Sequence, residues 1–133
     1  MPTLTANPRV LVVDDEADNR SVVQMILEHH DMLVTTAHDG LAALAYLQAE
    51  DAVPDLILLD LMMPRVDGWS VLAQVRALPH CAQVPVVALT ALAMPEDRER
   101  VMAAGFDGYI TKPLDVRTLV TKLRAFLPQP HDT

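Results

Sequence analysis

Short apolar runs alternate along this chain with longer stretches whose apolar positions recur every three or four residues, the signatures of strands and amphipathic helices. Residues 9–13 (RVLVV) are rich in β-branched side chains and end on Asp14-Asp15-Glu16, which predicts a short strand. From Ala17 the pattern turns helical, with Val22, Val23, Ile26 and Leu27 forming one stripe of a helix that ends near His30. Residues 32–36 predict a second strand, and Asp39-Gly40 starts a helix carrying Leu41, Leu44, Ala45 and Leu47. Pro54 ends that connection. Residues 56–59 (LILL) then run straight into Asp60, and an apolar run of this length between turn signals predicts a strand buried on both faces. Residues 67–78 predict a third helix, with Val71, Leu72, Val75 and Leu78 inward and Pro79 as its stop. Residues 84–90 predict a fourth strand. Pro95 suits the first turn of a fourth helix and Gly105 a left-handed end to it. Residues 107–111 predict a fifth strand, and Val116, Leu119, Val120, Leu123 and Leu127 stripe a fifth helix.

Strand and helix thus alternate five times with mostly short connections, which predicts a parallel sheet covered by helices on both faces. The expected organisation is one domain over residues 9–127, a flexible leader over 1–8 and a flexible tail over 128–133. Composition refines this only modestly. A chain of 133 residues can bury a core without metal or disulfide staples. With 51% hydrophobic but only 4% aromatic residues, that core must be aliphatic. The net charge of -8 argues against direct contact with a nucleic-acid backbone, which needs clustered Lys and Arg. The lone cysteine, Cys81, supports neither an internal disulfide nor a zinc framework and reads as a small buried hydrophobe or a neutral loop residue. No apolar run approaches membrane-spanning length, and the first ten residues lack the features of a signal peptide, so a cytoplasmic chain without membrane insertion is expected. His29 and His30 close a helix, where cations suit the dipole.

The chemistry lies at the strand ends. The first strand leaves Asp14 and Asp15, the third Asp60, the fourth Thr90 and the fifth Lys112. Parallel strands present these ends on one edge of the sheet, where ligands of open α/β folds bind. Singly, each has an ordinary reading. Asp60 could start a turn, Asp14-Asp15 could cap a helix, Thr90 could be a plain strand residue, Lys112 a solvated charge and Tyr109 core. Together they read differently. Carboxylates packed this closely repel one another and call for a cation. Mg²⁺ takes hard oxygen ligands and leaves positions open for phosphate oxygens. A lysine and a hydroxyl could bind the remaining oxygens of a phosphoryl group, with one carboxylate free as the nucleophile.

Four motifs carry this pattern: VVDDE at residues 12–16, LLDLMMPRVDG at 58–68, ALTA at 88–91 and YITKP at 109–113. With them the chain resembles the response-regulator receiver domains of two-component signalling, over nearly its whole length. The resemblance implies a flavodoxin-like (βα)5 three-layer sandwich with strand order 2-1-3-4-5. It implies that Asp60 accepts a phosphoryl group from a histidine kinase or histidine phosphotransfer protein. Mg²⁺ would be held by Asp14, Asp15, Asp60 and the backbone carbonyl of Met62, with Asp15 the direct ligand and Asp14 acting through water. Thr90 would hydrogen-bond the phosphoryl group, Lys112 would pair with it, and Tyr109 would switch with Thr90. The Lys112-Pro113 peptide is expected to be cis.

The implied activity is signalling rather than enzymatic, limited to self-phosphotransfer and autodephosphorylation. Phosphorylation would repack the face of the fourth helix, fifth strand and fifth helix for a downstream protein target. Met62 and Leu92, two residues past Asp60 and Thr90, are bulky and apolar and imply slow loss of the phosphoryl group. The expected assembly is a monomer or weak dimer. A stand-alone regulator or phosphorelay intermediate is preferred; the alternative is a receiver module excised from a hybrid histidine kinase or larger regulator. Other classes fit less well. A haloacid-dehalogenase-like enzyme needs a second Asp where Met62 stands, and a flavodoxin-like electron carrier needs a glycine- and hydroxyl-rich phosphate loop where this chain is acidic. A degenerate, purely binding receiver would lack one of the five site residues, and none is missing.

Overall fold

The computed structural model describes residues 7–51 and 53–127. Most of the expected leader and the whole expected tail lie outside the described residues. The elements run in the order β1 (Arg9–Val13), α1 (Ala17–His29), β2 (Leu33–Ala37), α2 (Gly40–Leu47), β3 (Leu56–Asp60), α3 (Gly68–Ala77), β4 (Val86–Thr90), α4 (Pro95–Ala103), β5 (Gly108–Thr111) and α5 (Val116–Arg124). The strands form one sheet of order β2-β1-β3-β4-β5, parallel throughout. This is the flavodoxin-like arrangement.

Every residue of β3 and β4 is buried, because successive side chains of these central strands point into two different apolar layers. On one side Leu11, Val13, Ile57, Leu59, Val86 and Ala88 pack with side chains of α2, α3 and α4. On the other, Val10, Val12, Leu56, Leu58, Val87 and Leu89 meet Val23 and Leu27 of α1 and Leu119 and Leu123 of α5. Register carries the strand ends to a common edge. Val13 pairs with Leu59, Asp60 with Leu89, and Thr90 with Thr111, so β1, β3, β4 and β5 finish side by side.

Several boundaries and faces differ from the pattern reading, each for a local reason. β2 starts and ends one residue late. β4 begins at Val86 rather than at residue 84, since Pro85 has no N–H to donate and contributes only its carbonyl, which accepts from Ile57. Pro79 does more than stop α3: it opens a short 3₁₀ turn over Pro79–Cys81. In α2 the inward positions are Gly40, Ala43, Leu44 and Leu47, spaced i, i+3, i+4, i+7, while Leu41 is 56% exposed and Ala45 also faces out. That phase is set by Gly40, where a Cβ would lie 2.7 Å from the Val71 side chain. In α5, Leu119, Val120, Leu123 and Leu127 are buried but Val116, in the first turn, is exposed. Val22 of α1 is likewise exposed, and Leu78 only half buried.

Two polar devices hold the frame. Asp39, Asp67 and Asp115 cap α2, α3 and α5, accepting from Ala42 N, Ser70 N and Arg117 N. Arg76, near the end of α3, donates to the carbonyls of Ala82 and Val84 and at 2.8 Å to the Asp107 carboxylate, which also accepts from Val86 N. The turn after β3 depends on Gly68. A Cβ there would lie 2.7 Å from Leu61 Cα and 2.8 Å from Asp60 O, and backbone cannot yield as a side chain can. Gly68→Ala is therefore expected to cost about 1–3 kcal/mol of stability, read from the urea unfolding midpoint. An unchanged midpoint would mean that α3 can back away from the turn freely.

Candidate functional site

β3 delivers Asp60 to the carboxyl edge of the sheet as its last residue, 2% exposed. β1 ends one residue short of Asp14, which is 1% exposed, while Asp15 beside it faces solvent. Carboxylate oxygens of Asp14, Asp15 and Asp60 all lie within 4.8 Å of one another. Asp14 is fixed from three directions: Oδ1 accepts from Glu16 N at 2.9 Å, Oδ2 from Asn19 Nδ2 at 3.3 Å, and its carbonyl from Arg20 Nη1 at 2.8 Å. Asp60 Oδ1 accepts from Met62 N at 3.0 Å and Oδ2 from Lys112 Nζ at 3.0 Å.

Lys112 follows β5 directly, and its backbone N–H donates to Thr90 O at 2.8 Å, which fixes the base of the side chain. The Lys112-Pro113 peptide is cis. The ammonium stands 3.6 Å from Asp14 Oδ2 and 3.2 Å from Glu16 Oε1 as well as against Asp60. Thr90 is fully buried, and its hydroxyl oxygen accepts from Leu92 N at 3.1 Å, leaving the hydroxyl proton to donate elsewhere. Tyr109 stands on β5 opposite Ala88, and its buried hydroxyl has no hydrogen-bond partner among the described residues. The Met62 side chain is 59% exposed, turned out beside the site while its N–H serves Asp60.

Electrostatics follow from burial. Removal from water pushes the Asp60 carboxyl up to about 6, and the neighbouring Asp14 adds to this; Lys112 and the Met62 N–H pull the other way without cancelling it. Burial disfavours the Lys112 ammonium, but the hydrogen bond and charge of Asp60, with Asp14 and Glu16, outweigh burial and raise its pKa. Burial also raises the Tyr109 hydroxyl. Two buried acids and an exposed one thus share a single ammonium. Such a donor set suits a hard divalent cation, which binds carboxylate oxygens.

All the sequence-predicted polar residues, Asp14, Asp15, Asp60, Thr90 and Lys112, come from strand ends gathered at this edge, with Tyr109 one strand position behind Ile110. Glu16, from the VVDDE run, and Asn19 and Arg20, which carry no sequence-based expectation, contact Asp14 or Lys112. For Asn19 and Arg20 the sequence signal is spacing: three and four residues separate them from Glu16, one turn of helix.

The α4 helix is held differently from the others. It buries Val101 alone, and its arginines lie over rings on neighbouring elements: Arg98 is 6.0 Å from the Tyr109 ring centroid and Arg100 5.6 Å from that of Trp69 in α3.

A strand-end aspartate beside two further carboxylates and a lysine, on an open α/β sheet, is consistent with a phosphorylation site. The chain belongs to the response regulator receiver domain family, whose model matches residues 10–124. It is 38% identical over 126 residues to an uncharacterised 14.6 kDa protein of Leptolyngbya boryana, covering 95% of this chain and 94% of that one. It is 39% identical to the DNA-binding dual master transcriptional regulator RpaA of Synechocystis, covering 90% of this chain but 49% of that protein. The chain spans about half the length of this and other matched transcriptional regulators. Among solved structures, the chemotaxis response regulator CheY4 of Vibrio cholerae superposes with a TM-score of 0.84 at 34% identity, over 92% of this chain and 100% of that one. The receiver domain of the Pseudomonas aeruginosa sensor histidine kinase PA1611, solved with magnesium in its active-site cleft, gives 0.78 at 34% identity, over 91% and 98%.

A stability test follows from the Asp60 environment. Unfolded, this carboxyl loses its proton near 3.8; folded, it holds it to about 6. Between those values the folded chain binds the extra proton, so the contribution of Asp60 to stability falls as pH rises through the window. In chelator-treated buffer near pH 8, Asp60→Asn is expected to be more stable than wild type by about 1–3 kcal/mol. Equal stability of the two from pH 4 to pH 8 would contradict the assignment.

Proposed function

We propose that Asp60 is the phosphoacceptor of a Mg²⁺-dependent receiver switch. The observation that carries this is the Lys112 ammonium, 3.0 Å from Asp60 and 3.6 Å from Asp14, at the edge where three carboxylates converge. A carboxylate oxygen of Asp60 attacks phosphorus, a P–O bond forms, and the P–N bond to a donor histidine breaks as the imidazole leaves and takes up a proton. Asp14, Asp15, Asp60 and the Met62 carbonyl would hold Mg²⁺, which supplies positive charge to phosphoryl oxygens. Lys112 supplies the fixed positive charge on the protein side. Thr90 has a hydroxyl proton to give to a phosphoryl oxygen.

Phosphorylation replaces one negative charge on Asp60 with roughly two on the phosphoryl group. Movement of Thr90 toward those oxygens opens space for Tyr109, whose hydroxyl gives up no hydrogen bond on rotating. The face of α4, β5 and α5 then favours a second packing, and a downstream protein reads it as a population shift. The donor is a histidine kinase or histidine phosphotransfer protein. The chain acts in the cytoplasm as a monomer or weak dimer; among the described residues no helix is long and apolar enough to cross a membrane. The acidic balance disfavours direct nucleic-acid contact by the receiver itself. Beyond self-phosphotransfer and dephosphorylation it catalyses nothing. The same site would serve a separate regulator, a relay intermediate or the receiver module of a longer regulator.

Incubation with acetyl phosphate and Mg²⁺, followed by intact mass, is expected to give a single phosphoryl adduct that disappears without Mg²⁺ and in Asp60→Ala. Absence of any adduct on folded, Mg²⁺-bound wild type would overturn the reading. The lifetime of the adduct provides a separate check. Met62→Asn replaces an apolar side chain at the rim with one able to orient water, and phosphate loss is expected to accelerate severalfold. An unchanged or slower rate would remove Met62 as a brake.

A further inference from the structure

Glu16 is the one carboxylate at this site that stands outside the cation-binding cluster. It precedes α1 and is mostly exposed, yet its Oε1 is held at both sides, by Asn19 Nδ2 at 2.9 Å and by Lys112 Nζ at 3.2 Å. An exposed ion pair of two long side chains is ordinarily weak and poorly fixed. This one is anchored, because Asn19 also donates to buried Asp14 and so joins Glu16 to the metal-binding acids. Lys112 is thereby shared among Asp60, Glu16 and, at slightly longer range, Asp14.

We propose that Glu16, steadied by Asn19, is a positioning residue for Lys112 that favours divalent-cation binding at the expense of phosphodonor access. This rests on the receiver reading above. The ammonium next to Asp60 and Asp14 repels an incoming divalent cation. A carboxylate on its outer side offsets that charge and draws it toward the rim, so the cation meets a more negative site. The same carboxylate repels an anionic phosphodonor and covers the ammonium that would attract it. One side chain therefore acts on the two partners with opposite sign.

The test uses the full chain with Glu16→Gln, which keeps size and hydrogen bonding but removes charge. Mg²⁺ affinity, measured by calorimetry without any phosphodonor, is expected to weaken about three- to tenfold. At saturating Mg²⁺, the rate of phosphorylation by acetyl phosphate is expected to rise severalfold, through a lower apparent KM for the donor. Both effects should shrink at high salt, since the interactions are screened. Glu16→Asp, which retains the charge, should restore Mg²⁺ affinity at least in part. Asn19→Ala, which frees the carboxylate, should shift both quantities in the direction of Glu16→Gln. A fall in both quantities together, or no change in either, would overturn the proposal. If the wild type binds Mg²⁺ but takes no phosphoryl group, the receiver reading fails, and the Mg²⁺ titration of the variants alone then decides the role of Glu16.

Discussion

The structure turns on a buried negative charge that the fold does not fully compensate. Asp60 ends a strand buried on both faces, beside a second buried acid, with one ammonium and one backbone N–H within hydrogen-bonding distance. Burial raises its pKa in spite of the lysine, which means that the ionised form is held at a cost. The imbalance suits a centre that binds cations and exchanges a phosphoryl group, because the missing positive charge is supplied by what binds.

Holding such a charge in place requires a stiff surround, and the two apolar layers provide it. β3 is sandwiched between them, so Asp60 cannot relax by moving the strand. Gly68 lets α3 pass close to the backbone immediately after Asp60, and the Asp67 cap starts that helix. Further out, Arg76 and Asp107 tie the end of α3 to the starts of β4 and β5. The hydrogen bond from Lys112 N to Thr90 O ties the finishing ends of β4 and β5 together in turn. Rigidity is concentrated where charge must be positioned.

The sheet, its order of elements and the five polar strand-end residues were legible in the sequence for a physical reason. Strands buried in the sheet leave short apolar runs, and the polar residues just after such a run lie at the sheet edge. Helix faces were less legible. Leu41, Val116 and Val22 are apolar and correctly spaced, yet exposed, because periodicity gives a helix its stripe but not the exact rotation or width of the face it buries. In α2 that rotation is set by the contact of Gly40 with Val71, a tertiary fact. Glu16 closes the VVDDE run, but nothing in the sequence ties it or Asn19 to Lys112, for a related cause. Their role depends on Lys112, 96 residues away from Glu16, reaching the start of α1.

The weak attachment of α4 has an optical consequence. Only Val101 anchors that helix in the core, and one of its outer contacts places the Arg100 guanidinium over Trp69. Trp69 is the sole tryptophan of the chain. Its indole sits on α3, whose start is packed against the turn after Asp60, while its partner lies on the helix with the fewest buried side chains. Emission excited selectively in the tryptophan band thus issues from a single ring, whose ionic neighbour lies on α4, part of the face proposed to switch. That ring is a built-in optical reporter on the placement of α4, with no label required.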